Sequence, residues 1–191
     1  MVTRAETAAA TRSALLRAAS ELLDEGGAAM VTLRGVGARA GVSRGAPYGH
    51  FTNKEQLLAT LAIAAWDSLA AEVEQLRTGS GDPGARLESA VMALIGRARE
   101  RPHLYALMFA TPAEDREAAE SAGRLQDGFL DLLGDLVGTT DAPRYGALLM
   151  STAHGIAELE RSGHLGVETW RVDSEELVRM TIEGIRLGAR S

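Results

Sequence analysis

The sequence contains no cysteine, and aromatic residues make up only 4% of its 191 residues. Disulfide bonds and thiolate metal sites are therefore excluded. The longest apolar run, near residues 57–66, is much shorter than the roughly 20 residues that a membrane-spanning helix needs. The amino terminus shows no charged segment followed by an apolar one, as a secretory signal would. We expect a soluble cytoplasmic protein with no membrane partner.

Basic residues are too few to balance the acidic ones, and the net charge is −6. Their distribution is uneven. Residues 1–54 hold seven basic and four acidic residues, a net charge of +3, whereas residues 55–191 have a net charge of −9. A basic amino-terminal part on an acidic body favours phosphate contacts at one end and repulsion from DNA elsewhere.

Apolar residues recur with helical periodicity along almost the whole chain, and no segment alternates convincingly as a strand does. We predict an all-α fold with an N-terminal three-helix domain over residues 1–52 and a C-terminal helical regulatory and dimerisation domain over residues 53–191. About nine helices are expected, with breaks at glycine and proline. They cover approximately residues 7–25, 32–40, 43–50, 52–77, 84–100, 102–110, 112–137, 142–162 and 173–189.

Helix starts are indicated by capping residues at four places. Thr52–Glu55 and Thr111–Glu114 have the Thr-x-x-Glu pattern of a capping box. Asp82, followed by a proline, and Asp173 are expected to cap two further helices.

Residues 32–54 predict a helix-turn-helix, in which one helix crosses the DNA backbone and the next lies in the major groove. Gly41 suits a left-handed turn, and Gly37 allows a neighbouring helix to approach closely. A small core is expected to fix the crossing of the two helices. Its residues are Leu33, Val36, Ala40, Val42 and Phe51.

Several side chains of this segment suit contact with DNA phosphates. Thr32 and Ser43 are predicted at helix starts, where a hydroxyl and free backbone N–H groups bind phosphate. Tyr48 and His50 have donors for phosphate, and Lys54 adds a charge at the start of the next helix. Packing roles for the tyrosine and histidine, and a solvated lysine, are the alternatives.

Base edges are expected to be read at two positions. Arg44 has the donor geometry for a bidentate contact with guanine, and the methyl group of Ala46 can touch that of thymine. The alternative for the whole segment is a helical hairpin with a purely structural role.

Residues 8–68 resemble the N-terminal domain of the TetR (tetracycline-repressor) family. The resemblance rests on the leucine and alanine spacing over 15–22, the pair Val31-Thr32, and the run from Gly41 to Leu58. Its most specific part is Tyr-x-His-Phe-x-x-Lys at 48–54.

The resemblance implies a homodimer that places its recognition helices in successive major grooves of double-stranded DNA. A small-molecule effector entering the C-terminal domain would release it. The family positions that touch DNA correspond here to Thr32, Ser43, Arg44, Gly45, Ala46, Tyr48, His50 and Lys54. Gly45 and Ala46 carry little side chain, which leaves base readout mainly to Arg44.

An effector pocket implied by the resemblance would need apolar, adaptable walls with few polar groups. The candidates are Met92, Ile95, Tyr105, Met108, Phe109, Phe129, Met150 and His154. Each of them could instead be an ordinary core residue.

Two stripes of small and apolar residues near the carboxyl terminus permit close helix packing, so a four-helix bundle across a two-fold axis is plausible. Packing within one chain is the alternative. The stripes are Leu148, Thr152, Gly155 and Leu159, and Leu177, Thr181, Gly184 and Gly188.

Other functions find little support. The spacing of His103, His154 and His164 matches no metal-ligand motif, and we expect no metal or cofactor. Ser151 and His154 lie one turn apart without an oxyanion-hole loop or an orienting acid, so no catalytic residue is expected. A constitutive DNA-binding or adaptor protein, whose C-terminal domain binds a protein and no small molecule, is the alternative to an effector-responsive regulator.

Overall fold

The computed structural model describes residues 3–110 and 115–189 of the chain. These residues form ten α-helices and one short 3₁₀ helix, Ala28–Met30, and no strand occurs among them. The α-helices are α1 (Arg4–Gly26), α2 (Leu33–Arg39), α3 (Ala46–His50), α4 (Lys54–Thr78), α5 (Pro83–Glu100), α6 (Pro102–Ala110), α7 (Arg116–Val137), α8 (Ala142–Arg161), α9 (Val167–Trp170) and α10 (Ser174–Gly188).

The all-α fold class is confirmed, and the predicted helices correspond to nine of the ten. The additional helix, α9, has four residues, which is too short for a 3.6-residue periodicity to be visible. The capping box predicted at Thr111–Glu114 lies outside the described residues.

Capping side chains explain where several helices begin. Thr3 and Glu6 form a complete capping box at the start of α1. Asp82 accepts a hydrogen bond from the Ala85 N–H at 3.0 Å before α5, and Asp173 accepts one from the Glu176 N–H at 2.8 Å before α10. The caps predicted at Asp82 and Asp173 are therefore confirmed.

The chain divides into two compact units. The N-terminal unit comprises Met1–Ala65 and His103–Ala118, and the C-terminal unit comprises Trp66–Pro102 and Ala119–Ser191. In the N-terminal unit, α1 packs against both α2 and α3. Its most buried side chains include Leu15, Leu23, Val36, Phe51 and Leu57.

In the C-terminal unit, α5 packs against α8 and α10, which also pack against each other. Helix α7 approaches α4 closely, since a Cβ at Gly128 would lie 2.9 Å from Val73 Cγ1. Arg86 joins α5 to α7 through a 2.8 Å ion pair with Asp135.

Helix α4 is long and apolar enough to cross a membrane, judged by length and composition alone, with a mean hydropathy of 1.2 in its most apolar window. Half of that window is buried inside the protein. Burial of this kind is typical of a core helix, and α4 contributes buried residues to both units, such as Leu57 and Leu69.

Candidate nucleic-acid interface

Helices α2 and α3 are joined by a tight turn that depends on glycine. Gly41 has φ = 67°, a left-handed conformation that strains residues with a Cβ. The Val42 N–H closes the turn by donating to the Gly37 carbonyl at 3.1 Å. The left-handed turn predicted at Gly41 is confirmed, and the turn sets the angle at which α3 leaves α2.

The two helices touch at Gly37, as predicted. A Cβ added there would lie 2.7 Å from Cγ of Pro47, whose ring is buried. Of the predicted small core, Leu33, Val36 and Phe51 are buried, whereas Ala40 and Val42 are half-buried. At the crossing of α2 and α3, the Pro47 ring therefore packs directly against the backbone at Gly37, in the place of larger side chains.

We expect Gly37→Ala to destabilise the protein by about 1–3 kcal/mol, because the proline ring cannot move away without disturbing the crossing of the helices. Thermal or urea unfolding measures the change. Gly49→Ala, in α3, is the matched control: a Cβ there meets nothing within 4 Å, so stability should be unchanged or slightly raised. A Gly37→Ala protein as stable as the wild type would contradict the close contact.

Thr32 caps α2, as its position at a helix start predicted. Its Oγ1 accepts a hydrogen bond from the Gly35 N–H at 3.0 Å, and the side chain is exposed. A hydroxyl that accepts one hydrogen bond still has its own proton to donate. The side chain can therefore hold the helix start and bind a phosphate at the same time.

The helix start predicted at Ser43 is wrong. Helix α3 begins at Ala46, is preceded by Gly45, and has no side-chain cap. The Ser43 carbonyl accepts a hydrogen bond from the Ala46 N–H at 3.0 Å, so Arg44 and Gly45 form a turn before the helix. Ser43 itself is exposed, and Arg44 projects from the segment that leads into α3.

The surface of this segment carries the predicted DNA-contacting side chains. Arg44 and Gly45 are exposed and Tyr48 is 60% exposed, while Ala46 and His50 are half-buried. A tyrosine so exposed contributes little to a core, so the packing role considered for Tyr48 is not the one it has here. The Arg44 side chain makes no hydrogen bond or ion pair with the residues that the structure describes, which leaves all its donors free.

The capping residue of α4 lies one position later than predicted. Asn53, and not Thr52, is the cap: its Oδ1 accepts from the Gln56 N–H at 2.8 Å. Gln56 Oε1 in turn accepts from the Thr52 N–H at 2.8 Å. The predicted capping box of Thr52 and Glu55 is thus wrong. Asparagine is as good a cap as threonine, and Gln56, not Glu55, supplies the acceptor for the Thr52 N–H. Lys54 becomes the first residue of the helix.

One of the seven basic residues of the amino-terminal part has a structural role. Arg39 in α2 makes a two-bond ion pair with Glu25, at 2.7 and 3.0 Å, and lies 3.4 Å from Glu21. These hydrogen bonds lower the pKa of Glu25 below its usual value. Arg39 therefore joins α2 to α1, and it pairs with two of the four acidic residues of the amino-terminal part. Five other basic residues form no ion pair within the described part of the chain: Arg12, Arg17, Arg34, Arg44 and Lys54.

Comparison with protein families identifies this architecture. Residues 15–61 match the model for bacterial regulatory proteins of the tetR family, and residues 87–185 match the model for a tetracyclin repressor-like C-terminal domain. The second match alone covers more than half of the chain. The chain belongs to the TetR family. It is accordingly a DNA-binding transcriptional regulator, and the resemblance seen in residues 8–68 is confirmed.

Solved structures of similar fold extend over almost the whole chain. A protein of unknown function from Rhodococcus sp. RHA1 is 26% identical, with a TM-score of 0.80, covering 93% of this chain and 94% of that one. The TetR-family regulator PfmR from Thermus thermophilus is 21% identical, with a TM-score of 0.66 and coverages of 91% and 97%. RolR, in complex with resorcinol, is 20% identical, with a TM-score of 0.62 and coverages of 98% and 94%. No curated protein matches the sequence.

The eight predicted pocket residues of this TetR-family chain fall in both units. Tyr105, Met108 and Phe109 belong to the N-terminal unit, where the rings of Tyr105 and Phe109 lie 5.0 Å apart. Burial raises the pKa of Tyr105 to about 12. Met108 is buried, and Phe109 is 42% exposed.

The other five pocket candidates belong to the C-terminal unit. Ile95 and Phe129 are buried, whereas Met92, Met150 and His154 are half-buried. Burial lowers the pKa of His154, which favours the neutral imidazole. Helices α5 and α8, which carry four of these residues, pack against each other. The pocket itself stays a prediction.

The C-terminal unit also has an open groove between α4 and α7, which sequence reasoning missed. Its volume is about 610 Å³. Ala70, Ala71 and Gly128 line it together with charged residues, among them Asp67 and Arg124, which form an ion pair. None of the eight predicted pocket residues lines this groove.

The two stripes predicted for dimerisation lie on helices that pack against each other. Leu148 is 51% and Leu159 is 45% exposed, and Gly155, Gly184 and Gly188 are exposed. Packing within the chain therefore does not cover the two leucines. The remaining three, Thr152, Leu177 and Thr181, are half-buried. We call the surface formed by all eight residues the exposed seam: Leu148, Thr152, Gly155, Leu159, Leu177, Thr181, Gly184 and Gly188.

Two exposed apolar residues beside the seam were not predicted. Met180 is 58% and Leu187 is 67% exposed. They lie four residues before and three after Gly184, and hence on neighbouring parts of the same face of α10. That spacing is visible in the sequence and would have identified them.

Proposed function

We propose that this TetR-family regulator is a repressor that binds a near-palindromic operator as a homodimer and is released by a small-molecule effector. Its DNA-binding domain comprises residues 1–52 and its regulatory and dimerisation domain residues 53–191, and the protein acts in the cytoplasm. The observation that carries the proposal is the exposed, unpaired Arg44 at the entrance to α3, within a complete helix-turn-helix.

Phosphate contacts are assigned to Thr32, Ser43, Tyr48, His50 and Lys54. Contacts with the DNA backbone set the position of the protein on the duplex, whereas contacts with base edges give sequence preference. Arg44 supplies the base contact, while Gly45 and Ala46 allow the segment to approach the groove closely. The basic surface also brings the protein to DNA through long-range attraction.

The exposed seam supports the homodimer. Two copies related by a two-fold axis would place α8 and α10 of one subunit against the same helices of its partner, as in an isologous interface. The exposed glycines permit close approach of the helix axes, and Leu148, Leu159, Met180 and Leu187 supply apolar area that water covers in the single chain.

An effector can release the protein from DNA only if the DNA-binding and the non-binding conformations differ in their affinity for that effector. We assign the effector site to the pocket candidates of the C-terminal unit, with His154 as a neutral hydrogen-bonding group. The apolar candidates there are Met92, Ile95, Phe129 and Met150. The resorcinol in RolR supports a small organic effector for a chain of this fold. A ligand that shifts α4 would change the spacing of the two recognition helices, which must match half-sites about 34–36 Å apart.

We expect Lys54→Ala to weaken binding to operator and to random DNA by the same factor, because a phosphate contact carries no sequence information. The slope of log affinity against log salt should flatten by about 0.9 for each phosphate that is no longer neutralised, hence by about 1.8 per dimer. Fluorescence anisotropy at several salt concentrations measures it. A weakening confined to the operator would contradict the assignment.

The whole proposal is tested by selecting genomic fragments on the immobilised wild-type protein at low salt and sequencing those retained. A near-palindromic motif with two half-sites is expected, and a library of small organic molecules should then yield compounds that release the bound motif. If all fragments were retained equally, the protein would have no specific operator and the proposal would be rejected. A motif that no compound releases would favour a constitutive DNA-binding protein.

A further inference from the structure

We propose that Arg12, on α1 and outside the helix-turn-helix, is a further contact to a DNA phosphodiester, held in position by Phe51. The inference deepens the proposed function, because it rests on DNA binding by the N-terminal unit. It adds a fourth helix, α1, to the three that already carry predicted phosphate contacts, α2, α3 and α4.

The position of Arg12 is set by an aromatic ring. Its Cζ atom lies 5.3 Å from the centroid of the Phe51 ring, within the range of a cation–π contact. The ring itself is packed in the core, since Phe51 is 2% exposed, and the Phe51 N–H ties the adjoining backbone to α3 by donating to the Pro47 carbonyl at 2.9 Å. The guanidinium is therefore held at a defined place relative to the end of α3.

That place lies next to the predicted phosphate contacts. Phe51 follows directly after His50, the last residue of α3, and stands three residues before Lys54, the first residue of α4. A guanidinium over this ring lies where the recognition helix ends and the next helix begins. His50 and Lys54, at the two ends of this junction, are both assigned to phosphate contacts, so Arg12 adds a further cation beside them.

The charge of Arg12 is also available. The residue is exposed and forms no ion pair with the described residues, whereas Arg39 in the same unit is bound by Glu25 and Glu21. A guanidinium has five N–H donors, so a contact with one ring leaves donors that can bind an anion. Phosphate oxygens accept such hydrogen bonds well.

A purely structural role is the rival explanation. In that case the cation–π contact fastens α1 to the junction of α3 and α4, and its removal lowers stability without changing the number of phosphates bound. The two roles differ in the salt dependence of DNA binding, which a structural contact does not alter.

The experiment compares Arg12→Met with Arg17→Met in the full-length protein. Methionine keeps an unbranched apolar stem that can lie on the Phe51 ring and removes only the charge. Arg17 is an exposed arginine of the same helix without an ion pair in the described chain, and it lies about 140° around the helix axis from Arg12. Affinities for the selected operator and for random duplex are measured at several salt concentrations, together with Tm.

For Arg12→Met we expect the salt slope to flatten by about 0.9 per subunit, or about 1.8 per dimer, on both DNAs. Its Tm should stay near that of the wild type, and Arg17→Met should keep the wild-type slope. An unchanged slope with a lowered Tm overturns the proposal in favour of the structural role. Equal flattening in both variants also overturns it, because the effect would then be a general one of charge on α1.

The wild type and Lys54→Ala separate this inference from the proposed function. If the wild type binds no DNA, both fail. If the wild type binds DNA, Lys54→Ala flattens the slope and Arg12→Met does not, the Arg12 contact is rejected and the proposed function stands.

Discussion

The Leu148→Glu protein is expected to be a monomer and to bind the operator about 10²–10⁴-fold more weakly than the wild type, since two linked half-site contacts become one. Leu148 is 51% exposed on the seam of α8, so the substitution leaves the folded chain intact. In a two-fold interface each substitution occurs twice, and both carboxylates would have to be buried. Analytical ultracentrifugation gives the association state, and anisotropy gives the affinity.

Ala147→Glu is the matched control. Ala147 is the preceding residue of the same helix, is also exposed, and points to a different face. This variant should remain dimeric and retain wild-type affinity. Should Leu148→Glu also remain a dimer with full affinity, the exposed seam would not be the interface.

Much of the fold could be predicted from the sequence because local signals agreed. Helical periodicity, the glycines that end α1, and capping aspartates at 82 and 173 each indicated helices at places where the structure has them. Gly41 was identified because only a residue without a Cβ adopts φ = 67° without strain. These are short-range effects, decided within a few residues.

The errors arose where two residues compete for one role. At the start of α4, Thr52 and Asn53 can both cap the helix, and the choice depends on which side chain accepts the Gln56 N–H, here that of Asn53. At the start of α3, a turn through Arg44 and Gly45 replaced a serine cap. The sequence alone does not distinguish such candidates, because the decision depends on backbone direction.

The use of the arginines could not be predicted from composition. Arg39 and Arg12 contribute equally to the net charge, yet one is bound by carboxylates fourteen and eighteen residues earlier and the other lies over a ring thirty-nine residues later. Such pairings depend on how α1, α2 and α3 pack. A count of charges therefore predicts attraction to DNA, whereas the tertiary structure determines which charges can reach it.

We expect base readout to depend on very few side chains. Gly45 offers none and Ala46 only a half-buried methyl group, so the sequence preference of the protein should reside largely in Arg44. A good bidentate contact between arginine and guanine discriminates by about 1–3 kcal/mol, or roughly 5- to 150-fold, at its base pair. The same position occurs once in each half-site of a dimer.

We therefore expect Arg44→Ala to bind an operator substituted at one symmetric position as well as the original, while random DNA is bound only slightly more weakly. Competition binding with all four base pairs at each operator position measures the preference. Arg44→Lys keeps the charge but not the planar pair of donors, and should retain affinity for random DNA while losing part of the discrimination. If Arg44→Ala kept the wild-type preference at every position, base readout would have to come from Tyr48 or His50, and the turn before α3 would have no part in choosing the operator.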